Sequence, residues 1–126
     1  VKFAYDTSYE PPAPSIEIQL ALPESSYFIG PVTAFVDSGA DAIIVPSYYL
    51  QGLPIQVDDR KVLRSAWGER RIVDIHYLDV GIGAIRLPVI EIVADELSDE
   101  IIIGRNILNK LLVVLNGPAQ TLELKD

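Results

Sequence analysis

Asp37-Ser38-Gly39 follows directly on the apolar run Val32–Val36 and is the grouping in this chain with the clearest chemical potential. A carboxylate at the exit of a buried strand is costly unless its charge is shared, hydrogen-bonded or put to use. Gly39 lets the backbone approach closely, and the Ser38 hydroxyl can hold a neighbouring loop. Other groupings carry less. Gly81-Ile82-Gly83 lacks the third glycine of a nucleotide-binding loop, since Arg86 stands there, and the residues after it read as strand. Asp37 and Asp41 are flanked by too few side-chain oxygens for the six to eight ligands calcium takes, roughly. A serine triad would need His76, the sole histidine, and no Gly-x-Ser-x-Gly elbow is present to expose a nucleophile. His76 itself falls in a strand pattern and is expected at the surface or partly buried.

Composition narrows the chemistry further. The absence of cysteine removes disulfides, a thiol nucleophile and every cysteine-based metal site, and with a single histidine no resident metal or cofactor is expected. Ten basic against 18 acidic residues give a net charge of -8, which repels a phosphate backbone unless the bases cluster. Arg60, Lys61, Arg64, Arg70 and Arg71 lie close in sequence, but Asp58, Asp59 and Glu69 accompany them, so a solvated hairpin surface is expected and no nucleic-acid partner. No apolar run approaches the ~20 residues of a membrane span, and the N-terminus lacks a signal-peptide layout. A soluble cytoplasmic protein without a membrane partner is the expectation. At 126 residues one domain over 1–126 is expected, with a single core.

The elements that must position Asp37 are mostly strands. Residues 1–14, with Pro11, Pro12 and Pro14, read as an arm that orders only by docking. Ile16, Ile18, Leu20 and Leu22 alternate with Ser15, Glu17, Gln19 and Ala21, predicting a strand with one half-buried face. Val32–Val36 and Ala42–Val45 are apolar strands on either side of the polar elbow 37–41. Ser47–Leu50 suits one helical turn. Lys61–Ser65 and Arg71–Tyr77 are the arms of a hairpin, with Ala66-Trp67-Gly68 at its tip and Gly68 free to adopt positive φ. Further strands are predicted at Leu78–Ile82, Ile85–Val93 and Ile101–Ile103, a helix at Asn106–Leu112, and a closing pair, Leu112–Leu115 with Thr121–Leu124, around Asn116-Gly117-Pro118.

At Phe35-Val36-Asp37-Ser38-Gly39-Ala40-Asp41, followed by Ile43-Ile44-Val45-Pro46 and later by Ile102-Ile103-Gly104-Arg105-Asn106-Ile107-Leu108, the chain resembles the retropepsins. These are the small aspartic proteases of retroviruses, with cellular and bacterial relatives. The resemblance covers roughly Ser15 to Leu115, and the gap between the motifs leaves room for a flap hairpin at about 61–77. It implies a mainly β fold, a retropepsin-like closed β-barrel (the acid protease fold) with one short C-terminal helix. It also implies roles. Asp37 looks like the catalytic aspartate, Ser38 like the residue whose hydroxyl crosses to the partner subunit, and Gly39 like the residue whose carbonyl receives substrate. Ala40, Asp41, Ala66, Trp67 and Gly68 are the implied substrate contacts. Gly104, Arg105 and Asn106 are implied structural supports, with Arg105 paired to Asp41. The chain departs from the viral pattern in its tip, which has one glycine and a tryptophan, and in the extra hairpin Leu112–Leu124.

Two carboxylates about 3 Å apart cannot both ionise, so one serves as general base on water while the other protonates the developing oxyanion. With one Asp-Ser-Gly per chain, the resemblance implies a homodimeric aspartic endopeptidase acting on a peptide or protein substrate. Two rivals belong to other classes. One is a retropepsin-fold binding or dimerisation module without turnover. The other is a β-rich structural domain in which Asp37 caps a turn and Arg105 makes a surface pair.

Overall fold

The computed structural model of the chain describes residues 1–64 and 68–126. Among these described residues ten strands, one 3-10 turn and one short helix follow in order: β1 Lys2–Ala4, β2 Ser15–Ala21, β3 Phe28–Val36, β4 Ile43–Pro46, the 3-10 turn Ser47–Gly52, β5 Asp59–Arg64, β6 Arg70–Ile82, β7 Ile85–Asp95, β8 Ile101–Ile103, α1 Arg105–Leu108, β9 Leu112–Asn116 and β10 Thr121–Lys125. β2, β3, β8, β4, β7 and β6 pair in that order, and β2 pairs again with β6, so six strands close into a barrel. β5 extends it as an antiparallel hairpin on β6, from Asp59↔Ile75 to Arg64↔Arg70. The predicted mainly β closed barrel with one short helix near the C-terminal end is what the chain forms.

Ile16, Ile18 and Leu20 point into the barrel from alternate positions of β2, as their period-two spacing requires, and meet Ile43, Ile92, Ile101, Ile103 and Ile107. β4 and β8 are short apolar runs rather than alternating ones. Ile43 and Val45 face the core, while Ile44 turns to the other side and packs with Val73, Ile75 and Val93 in a second, smaller cluster. Both faces of β4 are therefore covered, and a continuous apolar run suits it.

The arm is docked. Lys2–Ala4 pairs with Thr121–Glu123 of β10, Asp6 bridges to Ala13, and the Tyr9 ring lies 5.4 Å from that of Phe35 while its hydroxyl donates to Glu100. Three expectations need correction. The helix is Arg105–Leu108, not Asn106–Leu112, because the N–H groups of Lys110 and Leu111 turn to the Ile107 and Leu108 carbonyls three residues back, and the chain enters β9 at Leu112. Arg71–Tyr77 and Leu78–Ile82 are one 13-residue strand interrupted only by an irregularity between Leu78 and Val80. His76 is buried rather than superficial, with Nδ1 2.8 Å from the Gln56 carbonyl oxygen, so its ring is a satisfied core group.

At that irregularity sits Asp79, 3% exposed. Burial alone would raise its carboxyl. The Val89 N–H at 2.9 Å, the Arg86 guanidinium at 2.7–2.8 Å and the Glu24 N–H at 3.3 Å outweigh burial and hold it below the ordinary carboxylate value. Because the folded carboxyl binds its proton more weakly than the unfolded one, its contribution is complete above about pH 4 and is lost as pH falls through the lower folded value. Asp79→Asn is expected to cost on the order of 2 kcal/mol at neutral pH by urea midpoint. The difference from wild type should shrink in acid. A difference independent of pH would contradict the ionised role.

Candidate active site

The end of β3 and the end of β8 run parallel, with Val36 beside Ile103, and this register delivers the two motifs to one place. The Asp37 N–H donates to the Ile103 carbonyl at 3.0 Å, and the Ala40 N–H returns to the Asp37 carbonyl at 3.1 Å, which turns the chain back on itself. Gly39 donates its N–H to Asp37 Oδ1 at 2.8 Å. Oδ2 has no hydrogen-bond partner among the described residues. The carboxylate is thus oriented through one oxygen and open at the other.

The elbow is held by the start of α1. The main-chain N–H groups of Arg105 and Asn106 donate to the carbonyls of Ala40 and Asp41 at 2.9 and 3.1 Å. The Arg105 guanidinium donates to the Ser38 carbonyl at 2.8 Å and to Asp41 Oδ1. Gly104 permits this approach, since a Cβ there would lie 2.5 Å from the Ala42 carbonyl oxygen. Asn106 clamps a third segment: its Oδ1 accepts the Ile43 N–H at 3.0 Å and its Nδ2 donates to the Glu91 carbonyl at 2.9 Å, tying α1 to β4 and β7.

The strengths of these supports differ. The Asp41 side chain is 90% exposed and that of Arg105 44%, so water screens their ion pair and it is worth under about 1 kcal/mol. Asn106 is half-buried, and removing its amide strands one backbone donor and one acceptor. Asn106→Ala is therefore expected to lower stability by about 2 kcal/mol and Arg105→Ala by about 1 kcal/mol, read as urea midpoints. The reverse order would show that the exposed pair governs the elbow.

Asp37, Gly39, Ala40 and Asp41 form one side of a cleft of about 600 Å³ whose other side is Lys61–Arg64 of β5. Its floor is aliphatic: Ala42, Ile44, Val73, Ile75 and Val93. Lys61 and Glu91 pair across one wall, and that contact raises the Lys61 ammonium above its usual value. Of the residues singled out from sequence, Asp37, Ser38, Gly39, Ala40, Asp41, Gly104, Arg105 and Asn106 are brought together. Gly68 lies apart in the β5–β6 turn with φ of +81°. Ala66 and Trp67 lie outside the described residues. Sequence reasoning missed the cleft wall of Lys61 and Glu91 and the floor of Ile44, Val73 and Val93. The floor follows from strand alternation once the register is known, but the ion pair joins positions on different strands and left no local signal. Among the described residues no group of three or more His, Cys, Asp or Glu is placed to hold a metal, and no helix is long and apolar enough to cross a membrane.

A closed six-stranded barrel, in which an Asp-Ser-Gly elbow packs on a Gly-Arg-Asn helix start, places the molecule in the retropepsin-like aspartic protease class. The chain belongs to the family described as "gag-polyprotein putative aspartyl protease", whose model matches residues 30–110. Among solved structures, a retropepsin-like aspartic protease from Rickettsia conorii superposes with a TM-score of 0.68 at 17% identity, covering 98% of this chain and 88% of that one. The retroviral protease-like domain of Ddi1 from Leishmania major gives 0.54 at 20% identity, with 90% of each chain covered. The protease of Simian Foamy Virus (mac) gives 0.52 at 18% identity, covering 75% of this chain and 91% of that one. At these identities the likeness is one of fold. No curated protein matches the chain.

Proposed function

We propose that this chain is an aspartic endopeptidase that acts as a homodimer, each copy supplying Asp37 to a shared dyad. The observation that carries the reading is the state of Asp37: one carboxylate oxygen fixed by the Gly39 N–H at 2.8 Å, the other open, at the edge of a cleft with an aliphatic floor. A second carboxylate brought beside it would share one proton with it. The ionised member then takes a proton from water as water attacks the peptide carbonyl, and the protonated member donates to the developing oxyanion. Collapse of the tetrahedral intermediate with protonation of the amine breaks the C–N bond. In this reading Ser38 reaches the partner subunit, the Gly39 carbonyl receives substrate, and the extended peptide lies between the elbow and the β5–β6 hairpin, its apolar side chains over Ile44, Val73 and Val93.

The test is cleavage of a denatured protein mixture by the purified chain, with new N-termini identified. Because a shared-proton pair titrates jointly, the rate should trace a bell on the acid side of neutrality. A rate still climbing in alkali would contradict the dyad, and absence of new termini under all conditions would favour a silent module on the same fold.

A further inference from the structure

We infer that the outer face of the β5–β6 hairpin is a docking surface for an extended, acidic segment of another protein that also carries aliphatic side chains. This is the side of the hairpin turned away from the cleft, and the inference does not depend on the dyad. Residues directly opposite each other in an antiparallel ladder share a face. Lys61↔Val73 and Leu63↔Arg71 therefore lie on the cleft side, where Val73 is part of the floor, and Arg60↔Asp74, Val62↔Ile72 and Arg64↔Arg70 lie on the other. The ion pair of Arg60 with Asp74 agrees with that assignment.

Two neighbouring pairs on this outer face cost the isolated chain stability. Val62 and Ile72 are 57% and 73% exposed, and among the described residues no large apolar side chain within a strand is more exposed than Ile72. Next to them Arg64 faces Arg70, like charges directly opposite each other, which works against the ladder. Both arginines are exposed, and neither makes an ion pair among the described residues. A basic residue would shield the free edge of β5. Shielding requires neither a second arginine opposite the first nor a bare aliphatic pair beside them. A partner that sets carboxylates against Arg64 and Arg70 and covers Val62 and Ile72 removes both costs at once.

Charge selects the occupant. The chain has a net charge of -8, yet five of its ten basic residues lie between Arg60 and Arg71, so an acidic body finds its most favourable approach here. The arginine pair and the aliphatic pair are two positions apart, about 7 Å along the strand, so an extended segment meets both with side chains at alternate positions. Asp74 closes the patch at the base of the hairpin, so the carboxylates of the segment lie toward Arg64 and Arg70. The aliphatic half favours a polypeptide over a single-stranded nucleic acid, whose bases stack on aromatic side chains.

Fluorescence anisotropy on the full chain tests the surface, with a short labelled peptide in which glutamate and isoleucine occupy alternate positions among serines. Binding should weaken with added salt, and replacing either the glutamates by glutamine or the isoleucines by serine should weaken it by roughly tenfold or more. Ile72→Ser and Arg70→Glu should each weaken it by roughly tenfold, whereas Leu63→Ser, on the cleft side, should leave it unchanged. Arg70→Glu carries a second signature. Facing Arg64, it replaces repulsion by attraction, so its urea midpoint should match or exceed that of wild type even as binding falls. Arg64→Glu repeats this arm from the other strand if Arg70→Glu fails to fold. Absence of peptide binding, binding that Leu63→Ser removes and Ile72→Ser spares, or midpoints below wild type for both glutamate variants would each overturn the surface. So would a single-stranded oligonucleotide that binds more tightly than the peptide and is indifferent to Ile72→Ser. Because the readout is binding, a chain that never cuts peptide would sink the protease and leave this test intact.

Discussion

Asp37→Asn should abolish peptide cleavage, by roughly 10³-fold or more, while the thermal melt stays close to that of wild type. The amide keeps the shape of the carboxylate, and its oxygen can still accept the Gly39 N–H that Oδ1 accepts now. It can neither take a proton from water nor hold the one that a dyad shares. Stoichiometry makes the prediction sharper. If each active unit needs two intact copies, titrating Asp37→Asn into wild type at constant total protein, with free exchange, should give activity that follows the square of the wild-type fraction. A straight line would mean that each chain works alone. Equal turnover by the variant would remove Asp37 from the chemistry altogether.

Gly104→Ala should be strongly damaging. Its Cβ would stand 2.5, 2.6 and 2.7 Å from the oxygen, carbon and nitrogen of Ala42, all main-chain atoms with nowhere to move. The backbone at Gly104 is extended, with φ of -101°, so the objection is to volume and not to torsion. Relief requires parting the start of α1 from the elbow and losing the bonds from Arg105 and Asn106 to the Ala40 and Asp41 carbonyls. The expected cost is about 3 kcal/mol or more, a large share of the ~5–15 kcal/mol that holds a domain folded. Gly68→Ala is the control: φ there is +81°, but beyond its chain neighbours no atom among the described residues lies within 4 Å of the added Cβ, so the torsional cost dominates, about 1 kcal/mol. Comparable urea midpoints for the two variants would show that the Gly104 contact is not tight.

How much of this was legible in the sequence depended on distance along the chain. β2 could be read from its alternation, β8 from three consecutive isoleucines, and the Asp37 elbow from a carboxylate at the end of an apolar run. The end of α1 could not: Leu112–Leu115 was legible as a strand, but no residue type in Asn109-Lys110-Leu111 marks the change to the three-residue turns, Lys110 to Ile107 and Leu111 to Leu108, that end the helix at Leu108. β1 was hidden because its partner is Thr121–Glu123 at the far end of the chain. The two glycines of the site illustrate the limit at closer range. Gly39 was legible as a turn residue beside Asp37, whereas the closeness of Gly104 to Ala42 depends on two strands meeting in three dimensions.

The pairing of β1 with β10 also sets an order of events during synthesis. β1 has no ladder to join until β10 has been made, and the parallel pairs β3–β8 and β4–β7 wait on long intervening stretches in the same way. Contacts so remote in sequence make folding slow, since the loops that join them must close before the pairing rewards them. Until then the growing chain carries open apolar edges that the finished barrel has paired and covered.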